Sequence, residues 1–278
     1  MDSKAITSYD QFYNSIRILL MKKLLNNLII KNFKNVIFFL NKNKKATLFE
    51  LRFKLFFRKL FVSEPKIEIR ESGISKSETL SNYTFGYIDH NKDLQKKYLG
   101  PSLENLKGNF RIINTDSLNS PAVNYNAMIE HCSSPFLILT HQDVTFSEDL
   151  LDLIDETIVT DKNFGAIGMV GADKDGIIRF SNSSTINKLD TLDCCFIVIN
   201  CRSWVRFSSK IFNEFHLYVE DYCAMQKTLG KKIYTILLKD KSFLNHHSYT
   251  WKTKGSCWGN YNYFKTIFSK RWPGLKTT

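Results

Sequence analysis

Apolar and polar positions fall into two alternating periods between residues 83 and 238. Short apolar runs at 83–88, 110–113, 136–139, 165–171, 177–180, 192–199 and 232–238 stop at Gly, Pro, Asn, Asp or Ser and read as strands. The segments 93–106, 122–131, 148–159 and 222–229 carry apolar residues at helical spacing. Gly100-Pro101 interrupts the first of these helices, Ser147 is the expected N-cap of the third, and Gly230 stands where a helix C′ residue belongs. Strand and helix in this rhythm predict an α/β domain with a mostly parallel central sheet and right-handed crossovers. The first three strands end in Asp89-His90-Asn91, Asn114-Thr115-Asp116 and His141-Gln142-Asp143. Ligands of open α/β sheets lie outside the carboxyl ends of their strands. His141 and Asp143, two apart in extended chain, would face the same way. The glycines of 165–171 allow another backbone to approach closely.

Upstream the pattern changes. Residues 8–61 are rich in Leu, Ile, Phe, Lys and Asn, contain no Pro or Gly, and have helical composition. No run reaches the roughly 18 uncharged residues needed to cross a bilayer. Residues 1–71 therefore read as a basic amphipathic helical region, 72–82 as a Ser-rich linker, and 83–278 as the main domain. The net charge of +12 is concentrated in that first region, which through Arg70 holds 15 Lys and Arg against 5 Asp and Glu. A basic arm on a near-neutral domain suits an anionic surface. Interfacial helices on a membrane are one reading; helices packed on the domain or on a second subunit are the other. The six cysteines make no CxxC pair and no zinc spacing, and Met1-Asp2-Ser3-Lys4 has no signal-peptide character. Reduced thiols in a cytoplasmic protein are the expectation.

The chemistry-bearing residues form an ordered set: Tyr125-Asn126-Ala127, His141-Gln142-Asp143-Val144, Leu192-Asp193, Glu220-Asp221 and His246-His247-Ser248. Over residues 84–248 this set resembles the bacterial family-2-type glycosyltransferases of the Rossmann-like GT-A fold, in the branch with His-Gln-Asp-Val in place of Asp-x-Asp. The resemblance implies that Asp143 holds a divalent metal, Mn²⁺ or Mg²⁺, with His246 or His247 completing the shell. It places His141, Gln142, Asp89 and Asn126 on the nucleotide-sugar donor. It makes Asp221, with Glu220 beside it, the catalytic base, and sets Asp193 and Trp251 on the acceptor side. It also implies transfer with inversion to a cell-surface glycan or lipid-linked acceptor by a cytoplasmic enzyme, peripheral on the inner face of the plasma membrane. Each residue also has a plainer reading. Acids at a helix start complement its dipole, paired histidines can be a solvated loop, and exposed Trp can pack on a core. Two other classes compete: a catalytically degenerate scaffold of the same fold, and a basic nucleic-acid-binding protein. The latter explains the charge but not the acids at strand ends, so no specific nucleic-acid partner is expected.

Overall fold

The computed structural model describes residues 65–72, 82–116, 119–181, 185–238, 243–247 and 261–278. The basic helices, the linker, Ser248 and Trp251 lie outside the described residues. In chain order the elements begin with β1 (Ile67–Ser72) and β2 (Tyr83–Asp89). Then comes α1, made of Lys92–Leu94, a π-helical turn Gln95–Leu99 and Gly100–Asn105. Next are β3 (Phe110–Asp116), α2 (Pro121–His131), β4 (Phe136–Thr140), β5 (Val144–Phe146) and α3 (Leu150–Thr160). A run of short strands follows: β6 (Phe164–Gly168), β7 (Val170–Ala172), β8 (Ile178–Phe180), β9 (Lys188–Leu189), β10 (Thr191–Leu192) and β11 (Phe196–Asn200). The chain then forms α4 (Tyr218–Thr228), β12 (Lys232–Thr235), β13 (Leu244–His246) and α5 (Tyr261–Arg271).

The main sheet has the order β1-β3-β2-β4-β11-β6-β12-β9. β2, β3, β4, β6 and β12 run one way, while β1, β11 and β9 oppose them. The sheet is thus mixed and mostly parallel, flanked by helices, in agreement with a Rossmann-like GT-A architecture. β11 is reversed for a topological reason. No helix separates it from β6; the small sheet β10-β7-β8 intervenes instead, and a parallel return requires a crossover. The apolar run predicted at 165–171 is therefore split between two sheets.

The uninterrupted apolar character of β4 follows from burial on both faces. Leu137 and Leu139 join the core built with Ala122, Tyr125 and Met128 of α2 and Tyr218 and Tyr222 of α4. Ile138, one step out of phase, joins Leu99 and Leu103 of α1 and Leu150 and Ile154 of α3 on the other face.

The structure departs from the sequence expectations at three places. β1 lies within the span assigned from sequence to the helical region; its alternating Ile67-Glu68-Ile69-Arg70 is a period-2 pattern, satisfied by antiparallel pairing with β3. Gly100-Pro101 does not break α1. Pro101 lacks an N–H and would crowd the carbonyl four residues back, and the turn widens so that Gly100 N–H reaches Gln95 O. Ser147 does not cap α3, which starts at Leu150: its N–H donates to Phe243 O at 2.9 Å, and Glu148 and Asp149 pair with Lys107 at 2.6 and 3.3 Å.

Candidate active site

Chain order reverses between β2 and β4: β3 lies outside β2, and the chain then returns to the other side. Such a switch point opens a crevice at the carboxyl ends of the strands, and here Gln142 stitches it. Its Oε1 accepts from His90 N at 3.0 Å and Asn91 N at 2.8 Å, and its Nε2 donates to Asp89 Oδ1 at 3.2 Å. Asp89 is also ion-paired with Lys92, and Asn91 caps the start of α1. Gln142, buried, is thus committed to holding the two strand ends together.

Its neighbours in sequence point elsewhere. β5 continues directly from Asp143 and pairs antiparallel with β13, His246 opposite Val144. This ladder carries a residue a hundred positions away to Asp143: His246 Nε2 lies 3.3 Å from Asp143 Oδ1, and His141 Nδ1 lies 3.9 Å from the same oxygen. One ligand atom from each of His141, Asp143 and His246 falls within 4.8 Å of the others. Burial and the adjacent His246 push the His141 imidazole below its ordinary value. It is then neutral near pH 7, the form in which imidazole binds a metal. Two imidazoles and a carboxylate suit a borderline divalent ion better than the all-oxygen shell favoured by Mg²⁺. The donor set fits the expected metal. His247 does not join it. Strand alternation turns its ring away, onto Tyr98 (centroids 4.2 Å apart) and Thr145 Oγ1 (2.9 Å).

Beside this cluster stands a second acidic group. Asp193 Oδ1 accepts from Cys195 N at 2.8 Å, and Cys195 O accepts from His141 N at 2.9 Å. The charge of Asp193 acts on both His141 and Glu220. Burial first, then Asp193, push the Glu220 carboxyl up to about 8. Glu220 lies in the first turn of α4, which starts from Leu217 at φ 63°, a left-handed conformation costly for a branched residue. The helix begins four residues before its predicted start, and both acids lie inside it.

Asp221 differs from its neighbour. It is fully buried; Trp272 Nε1 donates to its Oδ1 at 2.7 Å, and Arg271 Nε lies 3.1 Å from the same atom. The structure thus uses Asp221 to anchor the end of α5 onto α4. Asp221 Oδ2 is buried without a hydrogen-bond partner among the described residues, while Glu220, also buried, keeps a small exposed fraction. The segment after α5 crosses the same place: Thr191 Oγ1 donates to Lys276 O at 2.7 Å, and Thr278 Oγ1 donates to Glu220 Oε1 at 2.9 Å. Arg271, Trp272 and Thr278 were not foreseen from sequence. The chain from 251 onward is rich in basic and aromatic residues, but nothing in their spacing says that they return to residues fifty positions earlier.

Asn126 is half-buried, and its amide donates to Phe207 O at 2.9 Å and accepts from Phe207 N at 2.8 Å, which fixes the loop at Phe207 and leaves one N–H and one lone pair of the amide unused by that pair.

No protein-family model matches this chain, and no curated protein sequence does. Among solved structures it is similar to GalNAc-T7, crystallised with UDP, GalNAc and Mn²⁺: 5% identity, TM-score 0.46, covering 58% of this chain and 43% of that one. It is also similar to residues 1–349 of TarS from S. aureus: 12% identity, TM-score 0.44, covering 60% of each chain. The chain spans less than two thirds of either structure. What the fold and site define directly is a mixed α/β sheet with a two-histidine, one-carboxylate cluster at its switch point and a buried glutamic acid alongside.

Proposed function

We propose that this protein is a nucleotide-sugar-dependent glycosyltransferase, moving a sugar with inversion to a hydroxyl of a glycan or lipid-linked acceptor. The observation that carries the reading is the convergence of His141, Asp143 and His246 where the strands end, with Asp193 and Glu220 next to them. Asp143, His141 and His246 would hold a divalent ion, Mn²⁺ in preference to Mg²⁺, which when bound neutralises the diphosphate of the leaving group. Asp89, bridged by Gln142 to the cluster strand, lines the donor side. Glu220 takes the proton of the acceptor hydroxyl as its oxygen bonds to the anomeric carbon and the nucleoside diphosphate departs. Asp193 and Trp251 contribute the acceptor side. The basic N-terminal helices dock the enzyme on an anionic leaflet facing the cytoplasm, where a lipid-linked acceptor would be presented. Among the described residues no helix is long and apolar enough to span a membrane.

The test is turnover of a panel of nucleotide sugars, with and without Mn²⁺, by wild type, Asp143→Ala and Glu220→Gln. One donor turned over by wild type and lost in both variants supports the reading. Equal rates in all three overturn the site. One observation favours a second reading, the non-catalytic scaffold: Thr278 closes over Glu220. That version binds nucleotide in calorimetry and turns over no donor.

A further inference from the structure

Two half-buried thiols sit at the end of β4 opposite the His–Asp–His cluster, and nothing in the proposed transfer uses them. Cys132 closes α2, its N–H donating to Ile129 O at 3.3 Å. Cys201 follows β11; since Asn200 is paired with Phe136, Cys201 lands beside the α2–β4 turn, its N–H donating to Pro135 O at 2.9 Å. The Cys132 thiol donates to Ser134 O at 3.4 Å, on the same turn that Cys201 pairs with, and each thiol acts on the titration of the other. Arg111, which reaches Ser133 next to Cys132, and Arg206, near Cys201, make the surroundings electropositive. The neighbouring Cys201 thiol, helped by Thr84, Ser134 and Arg111, lowers the Cys132 thiol to about 7, while the Cys201 thiol is raised. Burial pushes the thiols of Cys194, Cys195 and Cys223 up. A thiol with a lowered pKa, a second thiol held at the same turn, cationic neighbours and partial access together are what distinguish a reactive cysteine pair from structural ones.

We propose that Cys132 and Cys201 are a redox-active dithiol, a modification site that takes low-molecular-weight disulfides and closes to an intramolecular disulfide. The Cys132 thiolate attacks one sulfur of the small disulfide; that S–S bond breaks, and one small thiolate leaves and is protonated by solvent. Cys201 then attacks the Cys132 sulfur of the mixed disulfide, giving up its proton as the second small thiol is expelled. Two protein thiols are oxidised and one small disulfide is reduced to two thiols. The first step removes the Cys132 charge that holds the Cys201 proton in place, which frees Cys201 for the second. The new bond ties the α2–β4 turn to the end of β11, bracing β4 from the end opposite its metal-ligand residues.

The full-length protein is incubated with oxidised glutathione at neutral pH and read by intact mass and non-reducing peptide mapping, with the denatured chain, all six cysteines exposed, as reference. Wild type is expected to lose two thiols, retain no glutathione and yield a Cys132–Cys201 cross-linked peptide. Cys201→Ser is expected to stop at one glutathione on Cys132. Alkylation of native wild type by limiting iodoacetamide is expected to label Cys132 roughly tenfold faster than Cys194, Cys195 or Cys223. The proposal is overturned if wild type keeps glutathione on Cys132 with no cross-link, or if oxidation is confined to other cysteines, Cys257 included. The wild-type map decides this even where a serine variant fails to fold. None of these readouts depends on sugar transfer.

Discussion

Glu220 and Asp221, adjacent in the chain and equal in chemistry, have been given different tasks by their surroundings. Helix geometry turns consecutive side chains about 100° apart, so one acid meets Asp193 and Thr278 and the other meets Arg271 and Trp272. Their separation has a pH signature. The Glu220 carboxyl is raised from its unfolded value to about 8, so between roughly pH 4.5 and 8 the folded chain holds a proton that the unfolded chain has released. The unfolded state then binds fewer protons, and stability falls as pH rises through that window, levelling off on either side. Glu220→Gln is expected to flatten this slope and to be more stable than wild type above pH 8, checked by urea denaturation across the pH range. An unchanged slope would remove the buried acid from the account. The same titration gives a rate prediction: donor turnover by wild type rises with pH toward about 8 as Glu220 ionises.

Among the elements, the small sheet β10-β7-β8 has the most consequence for the site, because it delivers Asp193. Asp193 N donates to Val170 O at 2.9 Å, directly beyond β10. That pairing needs backbones close together. A Cβ on Gly171 would stand 2.0 Å from Thr191 O, a backbone atom that cannot swing aside. Gly171→Ala is expected to cost about 2–3 kcal/mol and to reduce donor turnover along with it, since the displaced strand carries Asp193. Thermal denaturation together with the nucleotide-sugar assay checks both. Loss of stability with full activity would uncouple the sheet from the site. That glycines here permit close approach was legible from 165–171; which strand approaches was not, because β10 follows β8 and β9 in the chain and no local period encodes which of them returns to β7.

At the scale of the whole molecule, the cluster joins segments far apart in the chain, so a bound ion acts as a cross-link that the unfolded chain lacks. An ion present at a hundredfold excess over its dissociation constant stabilises the fold by about 2.7 kcal/mol. Mn²⁺ is therefore expected to raise the melting temperature of wild type and of His247→Ala, and not that of Asp143→Ala or His246→Ala. A shift retained in Asp143→Ala would place the ion elsewhere. His247→Ala separates the two adjacent histidines, as only His246 faces Asp143.

What depends on local period and chain order is legible along the chain. Apolar runs marked β2, β3, β4, β6, β11 and β12, Gly230 marked a helix end, and the polar strand ends named Asp89, His141 and Asp143 as neighbours of a crevice. These are consequences of backbone geometry, which acts over a few residues. Tertiary structure alone decided the choices between equivalents: His246 over His247, Glu220 beside Asp193, Asp221 beneath Trp272, Gln142 and Asn126 as braces. Each depends on which face of an element meets which distant partner. Burial, charge and hydrogen bonding at a side chain are set by groups far away along the chain, and no spacing within the chain records them.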